Sequence, residues 1–317
     1  MVSPLVPGSC VRVRVPASSA NLGPGFDSIG LALGLWDECT VTVSGTPGLQ
    51  VEVAGEGAAS VPLDENHLVY RSMVRAWAEL GVEPPAGLTM SCLNAVPHGR
   101  GLGSSATAIV TGVVAAQGLH DLAAGVEDLD RGLDREFTND LSSAVEGHPD
   151  NASASVYGGM TLSWSEADAP RHTRTVQLAV SPEVTPVLLV PQEQLATSTA
   201  RAVLPDHVPH AEAALNSARA ALLVEAVTRR PDLLLPATRE WLHQEQRRAA
   251  LGASMTLVDR LRDRGHAAVI SGAGPSVLVL STRADADAVA TLVPAQGWQV
   301  LRPGIAGTGA RIDRVAG

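Results

Sequence analysis

The chain contains no lysine; all 23 of its basic residues are arginine. That absence excludes Schiff-base catalysis, a lysine general base and the lysine of a phosphate-binding P-loop. Cysteine is scarce as well. Cys10, Cys39 and Cys92 lie far apart in the sequence and fit neither a disulfide framework nor a zinc site. No window approaches the ~20 uninterrupted apolar residues of a membrane helix. The opening MVSPLVPGSC also lacks the basic segment and apolar core of a secretion signal. The expectation is a reduced, cytoplasmic protein without membrane attachment. A net charge of -10 speaks against nucleic acid as a partner, because such binding relies on neutralising phosphates. It leaves room for a small anionic ligand, which responds to local field.

At 317 residues and 45% apolar content, the chain is longer than one core usually serves, so two domains are expected. CVRVRVPA alternates valine with arginine and predicts a half-exposed strand; ECTVTVSG and LQVEVAG continue the pattern around a Gly-Thr-Pro-Gly turn. NHLVYRSMVRAWAEL carries helical spacing and stops at Gly81, and GLTMSCLNAVP predicts a strand ended by Pro97. SSATAIVTGVVAAQGL predicts a helix with serines at its capping positions. A second half begins between residues 155 and 180. There VTPVLLVP reads as a buried strand, and HAEAALNSARAALLVEAVTR and LGASMTLVDRLRDRG as helices. AAVISGAGPSVLVLST reads as two short strands hinged at glycines, and WQVLRPGIA as a last strand. The mixture predicts α+β in both halves. The acidic DLAAGVEDLDRGLDREF reads as a solvated helical face.

Three glycine-bearing stretches stand out. PHGRGLGSSA, from Pro97, fails the P-loop pattern for want of lysine. Gly101-x-Gly103-x-x-Ala106 matches a dinucleotide fingerprint on its surface, but no acidic residue ends a strand about 20 positions on. Strand, glycine turn and helix in that order place free amides at a helix N-terminus, where the dipole favours an anion. A serine hydroxyl there can ligate Mg²⁺. Glycines that simply serve a tight turn are the competing reading, as they are for ANLGPGFD and SGAGPS. In ANLGPGFD, Asn21 and Asp27 set an amide and a carboxylate on one short loop, suited to an ammonium and a hydroxyl. EGHPDNAS puts Glu146, His148, Asp150 and Asn151 closer together than a turn needs.

The Pro97–Ala106 stretch resembles the phosphate-binding signature of the GHMP kinases. PASSANLGPGFDSIGLAL, from Pro16, is similar to that family's N-terminal motif in the form carried by its homoserine-phosphorylating members. SGAGPSVLVL, from Ser271, resembles the C-terminal glycine motif. The three occur in family order across residues 16–280. The resemblance implies an α+β, two-domain GHMP kinase fold. Residues 1–160 would form a ribosomal-protein-like βαβ ATP-binding domain and residues 161–317 a ferredoxin-like domain, with the site between them. A homodimer is typical of the family.

The same resemblance implies ATP on Pro97, Gly99, Arg100, Gly101, Leu102, Gly103, Ser104, Ser105 and Ala106. Asn66 would lie near the adenine, although His67 interrupts the family's usual Asn-Leu pair and a helix N-cap is an equal role for Asn66. Mg²⁺ would sit on Ser105 and Glu146, with Asp140 as the other candidate for the acidic ligand. His148 reads as structural. Asp150 and Asn151 match a His-x-Asp-Asn segment facing the substrate, with Asn151 orienting the attacking hydroxyl. TSTARAVLP corresponds to a segment placing Thr197 and Arg201 at the substrate, and HQEQRRAAL to one supplying Arg247. Two arginines converging on a carboxylate form a planar clamp, which with Asn21 and Asp27 suits an amino acid. The implied reaction is phosphoryl transfer from ATP to the side-chain hydroxyl of L-homoserine, with Asp150, Asn151 and Arg201 as its catalytic set. A mevalonate or sugar kinase of the same family, or a non-catalytic nucleotide-binding module, are the competing readings.

Overall fold

A computed structural model describes residues 5–166 and 169–315. Strand β1 (Cys10–Ala20) turns Val11, Val13 and Val15 inward, as the valine–arginine alternation predicts, and pairs antiparallel with β2 (Ile29–Val43). β2 is longer than expected. ECTVTV is only its second half, and the first half, Ile29–Asp37, continues out of the ANLGPGFD loop. β3 (Gly48–Gly55) runs parallel to β4 (Gly87–Asn94) with α1 (Leu68–Leu80) as the crossover, a βαβ unit. α1 ends where the sequence places its stop: Gly81 takes the left-handed conformation, and the next amide, of Val82, bonds back to Trp77 O at 2.9 Å.

The glycine turn leads into α2 (Ser104–Ala123), a helix apolar on nearly every side because it lies between the sheet and its neighbouring helices. Trp77 of α1 is fully buried against it and donates its indole N–H to Ala116 O at 3.1 Å. The acidic stretch that follows is not one helical face. It breaks into α3 (Leu129–Gly132) and the start of α4 (Arg135–Glu146), each capped by its own aspartate. Asp128 accepts the amide of Arg131 and Asp134 that of Phe137. α5 (Pro149–Tyr157) opens on a proline at its first turn and is followed by the hairpin β5 (Met160–Glu166) and β6 (Ala169–Leu178).

The second half contains β7 (Val184–Pro191), α6 (Thr197–Ala202), α7 (His210–Thr228), a 3₁₀ turn running into α8 (Leu234–Ala237), and α9 (Gly252–Asp263). It continues with β8 (Ala267–Ile270), β9 (Val277–Thr282), α10 (Ala286–Thr291) and β10 (Trp298–Leu301), and the chain returns to the first sheet as β11 (Arg311–Arg314). The first sheet has the order β11-β1-β2-β4-β3, with β5 paired to the early half of β2 and β6 to β5. The second has the order β10-β7-β9-β8, all antiparallel, which is the 4-1-3-2 order of a ferredoxin-like sheet. Sheet membership changes between β6 and β7, later than the expected boundary at 160/161.

One apolar cluster joins the halves. Ala17, Leu22, Leu31, Val96 and Leu102 from the first pack with Leu188, Val190, Leu223 and Leu278 from the second. β7 explains how. Its run VLLV is apolar throughout because both faces are covered: Leu188 and Val190 face this shared core, whereas Val187 and Leu189 face α9 and its neighbours. Cys39 and Cys92, distant in sequence, are direct cross-strand partners on β2 and β4, with their sulfurs 3.1 Å apart as free thiols.

α5 reaches the sheet closely because Gly30 of β2 leaves space for it; a Cβ there would collide with the carbonyl of Asp150. Gly30→Ala should therefore cost about 1–3 kcal/mol in urea unfolding, the cost of overpacking a tight contact. It should also lower activity by displacing Asp150. Unchanged stability and activity together would show that α5 can shift freely.

Candidate active site

A cleft of about 380 Å³ lies between the halves, and all three glycine-bearing stretches meet at it. The first stretch is held by its backbone. Asn21, Leu22, Gly23 and Asp27 take positive φ (70°, 47°, 90° and 54°), and Asn and Asp tolerate that region better than most residues. Asn21 borders the cleft, but both ends of its carboxamide are engaged within the protein. Oδ1 accepts the Asp27 amide and Nδ2 donates to Gly272 O, each at 3.0 Å. It thereby ties the first motif to the third, which also reaches back through Gly272 N to Ala20 O at 3.1 Å.

The glycine loop is bound from behind. Leu195 N donates to Gly99 O, Ser276 N to Arg100 O and Ser18 N to Leu102 O, and the Ser271 hydroxyl donates to Gly101 O at 2.7 Å. Each trans peptide points its N–H opposite its carbonyl, so capture of four successive carbonyls turns the following amides away from those partners. Among the described residues, the amides of residues 100–106 have no protein acceptor. Gly99, Gly101 and Gly103 make the winding possible, all at positive φ between 66° and 71°. The serines do not cap α2 as expected. Its N-cap is Gly103, which brings no side-chain acceptor, and Ser104 and Ser105 are the first helical residues. An uncapped N-terminus leaves its donors and dipole for an anion.

Arg100 lines the cleft, yet its side chain is spent on backbone. The Arg100 guanidinium is committed to the carbonyls of His98, Pro191 and Gln192, bracing the loop against the end of β7. Pro97 borders a neighbouring groove, and Ala106 is buried in the body of the fold. Asn66 stands on the cleft rim with its amide bonded to Asp64 Oδ1; the N-cap of α1 is His67 instead. Burial, with the charge of His98 adding to it, pushes the His67 imidazole pKa down.

Ser105 Oγ donates to Glu146 Oε1 at 2.6 Å, joining the first turn of α2 to the last residue of α4. A hydroxyl and a carboxylate at one point of the cleft are the hard oxygen donors that Mg²⁺ prefers. Asp140 is removed from this position. It accepts His172 Nδ1 and the Thr173 amide of β6 and is not among the cleft-lining residues. Asp27, His148 and Asp150 also bring donor atoms within 4.8 Å of one another, but Asp27 is already gripped by an arginine.

Several of the residues expected at the substrate come together here. Arg201 of α6 forms a forked pair with Asp27, at 2.6 and 3.1 Å, and that bond holds its pKa up. Asp150, buried at the start of α5, accepts its neighbour's amide and His148 Nδ1, both at 2.8 Å. Burial alone would lower His148, but the bond and charge of Asp150, helped by Glu146, outweigh it and raise its pKa. Asn151 Oδ1 takes the Ser18 hydroxyl at 3.0 Å, which fixes the amide's orientation at the cleft wall. Thr197 lines the cleft at the first residue of α6.

Arg247 is 1% exposed, yet among the described residues no carboxylate pairs with it. Its guanidinium donates to Ala200 O and to His243 Nδ1. Burial, then the nearby Arg201, lower its pKa; a guanidinium nevertheless stays charged in a protein. The Phe26 ring lies 5.7 and 5.8 Å from the guanidinium carbons of Arg201 and Arg247, and stacks on His243 at 5.2 Å. Phe26, His243, Ser18 and Ser271 all shape this site and went unassigned from the sequence. The first lies within ANLGPGFD and the second within HQEQRR, so their signal was position inside a motif.

The cleft thus offers an amide cradle beside a pocket with a forked arginine, a second, buried arginine and a buried carboxylate, the outfit of a small-molecule phosphotransferase. Residues 67–159 match the family model of the GHMP kinases N terminal domain, and residues 203–297 that of the GHMP kinases C terminal. The chain belongs to the GHMP kinase family. It is 49% identical over 312 residues to a homoserine kinase of Streptomyces avermitilis, covering 98% of both chains. It is 50% identical over 304 residues to one from Rhodococcus erythropolis, covering 94% of this chain and 95% of that one. The crystal structure of homoserine kinase from Cytophaga hutchinsonii superposes with a TM-score of 0.79 at 26% identity, covering 96% of this chain and 98% of that one.

The Arg247 contact dictates the charge state of His243. A guanidinium only donates, so Nδ1 must accept, and the proton sits on Nε2 facing Gly23 O at 2.8 Å. Burial pushes this imidazole below its ordinary 6.5. Its contribution to stability is then present above 6.5 and lost as pH falls from there through the depressed folded value. Urea midpoints should drop on that acid side, and His243→Gln should flatten the drop. An equal slope in the variant would place the acid lability elsewhere.

Proposed function

We infer that this kinase transfers the γ-phosphoryl group of ATP to the side-chain hydroxyl of L-homoserine, giving O-phospho-L-homoserine and ADP, a step of threonine biosynthesis. The observation that carries the substrate is Arg247: a buried cation without a carboxylate partner, beside an Arg201 already forked to Asp27. A buried unpaired charge is costly, and a substrate carboxylate entering between the guanidiniums removes that cost. Asp27 and Asp150 then supply the negative charge for the ammonium group. Homoserine carries both charges; mevalonate and sugars lack the ammonium.

Phosphoryl transfer asks mainly for alignment and charge stabilisation. The amides of residues 100–106 and the α2 N-terminus hold the phosphates. Ser105 and Glu146 are the residues that would hold Mg²⁺, which when bound neutralises charge on the β- and γ-phosphate oxygens. Asn151, fixed through Ser18, orients the substrate hydroxyl toward the γ-phosphorus. The new O–P bond forms as the bond to the β–γ bridging oxygen breaks, and the hydroxyl proton leaves with solvent or a phosphate oxygen. Asp150 positions the substrate, with its Oδ1 already taken by His148 Nδ1 and the Asn151 amide. Among the described residues no helix is long and apolar enough to cross a membrane; we place the reaction in the cytoplasm, where ATP is supplied. Thr197, at the mouth of the pocket, borders the substrate carboxylate.

A coupled ADP assay over homoserine, mevalonate and galactose should show turnover with homoserine alone. Turnover of mevalonate without homoserine would end this reading. Asp150→Asn should raise KM for homoserine roughly 10–100-fold, the loss of a charged hydrogen bond, with kcat within about tenfold. A kcat loss of ~10²-fold or more at unchanged KM would instead make Asp150 the proton acceptor.

A further inference from the structure

Asp37 has no role in the site as described, yet it lies directly beneath the glycine loop. It is 8% exposed, on β2, at the wall of the cleft. Its Oδ1 accepts the amides of Ala95 at 2.7 Å and Val96 at 2.9 Å, the last residues before the loop begins. Its Oδ2 lies 3.2 Å from the Thr107 hydroxyl, in the first turn of α2 just after the loop ends, and shares that hydroxyl's single proton with Ser104 O at 2.8 Å. Thr107 also makes the first helical hydrogen bond, to Gly103 O at 2.8 Å. A single carboxylate therefore clasps the loop at its entry and its exit.

Fold stability does not account for a charge here. Burial pushes the Asp37 carboxyl pKa up despite bonds from Val96, Ala95 and Thr107 and the nearby His98. An acid raised in this way detracts from stability once pH exceeds its ordinary value. The acceptor-only carboxylate does impose direction: both entry amides point at it, and the exit hydroxyl is divided between it and Ser104 O.

We propose that Asp37 is a positioning residue for phosphoryl transfer, holding both ends of the glycine loop so that the amides of residues 100–106 stay aimed at the triphosphate. The proposal rests on the reading that ATP lies on this loop. ATP binding is measured by calorimetry without homoserine, on the wild type, Asp37→Ala, Asp37→Asn and Thr107→Val, followed by steady-state kinetics. Asp37→Ala is expected to weaken ATP binding roughly tenfold and raise KM for ATP to match, with KM for homoserine within about twofold. Asp37→Asn, whose amide can accept from the entry and donate to Thr107, should recover to within about threefold of wild type. Thr107→Val, which releases the exit together with the hydroxyl's bond to Ser104 O and leaves the entry amides held, should weaken ATP about threefold.

Equal losses for both substrates overturn the proposal, as does unaltered ATP affinity in Asp37→Ala. If Asp37→Ala does not fold, Thr107→Val decides: unchanged ATP affinity there overturns it. A wild type that binds no ATP would sink the functional reading and this proposal with it, whereas a wild type that binds ATP but ignores homoserine leaves the Asp37 comparison fully readable.

Discussion

A phosphate cradle made only of main-chain donors depends on what holds its carbonyls. An amide cannot reach for an anion as a lysine can; it points wherever its peptide plane is turned. In this protein four consecutive carbonyls of the loop are taken by four different segments, from β1, the approach to α6 and both sides of the third motif. The contact is so close that a Cβ on Gly101 would collide with Ser271 O. Ser271 itself joins the loop to Ser19 of the first motif at 2.8 Å. The three motifs are thus one hydrogen-bonded assembly, and the arginine-only composition loses nothing at this site.

The substrate side solves a different electrostatic problem. The Arg201 and Arg247 guanidiniums lie close enough for each to feel the other's charge. Asp27 occupies Arg201, and Arg247 is held by a carbonyl and a neutral histidine, neither of which cancels its charge. The Phe26 ring lies near both, offering its quadrupole to the two cations. The arrangement is held open by contacts far in sequence, since Arg247 leans on α6 through Ala200 O and His243 on the first loop through Gly23 O.

Both halves of the site need a fixed spacing between the two domains, and the shared apolar core provides it. Leu22 and Leu102, neighbours of the first and second motifs, are buried in the same cluster as β7 and β9. Burial of that kind contributes about 25 cal/mol per Å² of apolar surface and is lost if the halves separate. Motif geometry and domain packing are therefore set by the same side chains.

Much of this was legible in the chain before folding. Local patterns such as the valine–arginine alternation of β1, the Gly81 stop of α1 and the double-faced apolar run of β7 report nearest neighbours, and they sit where the sequence puts them. The motif residues Asp27, Ser105, Glu146, Asp150, Asn151, Arg201 and Arg247 also come together in one region, because each motif carries its own turn geometry. What tertiary structure decided was the partner of each group. Asn21 and Arg100, both at the cleft, commit their side chains to backbone; the acidic run became caps; Cys39 and Cys92 became neighbours across two strands. Asp37, Phe26 and Ser271 have no signature of their own. Their roles arise from contacts between residues dozens to hundreds of positions apart, and a hydrogen bond's direction depends on where both ends finish in space, which no local pattern encodes.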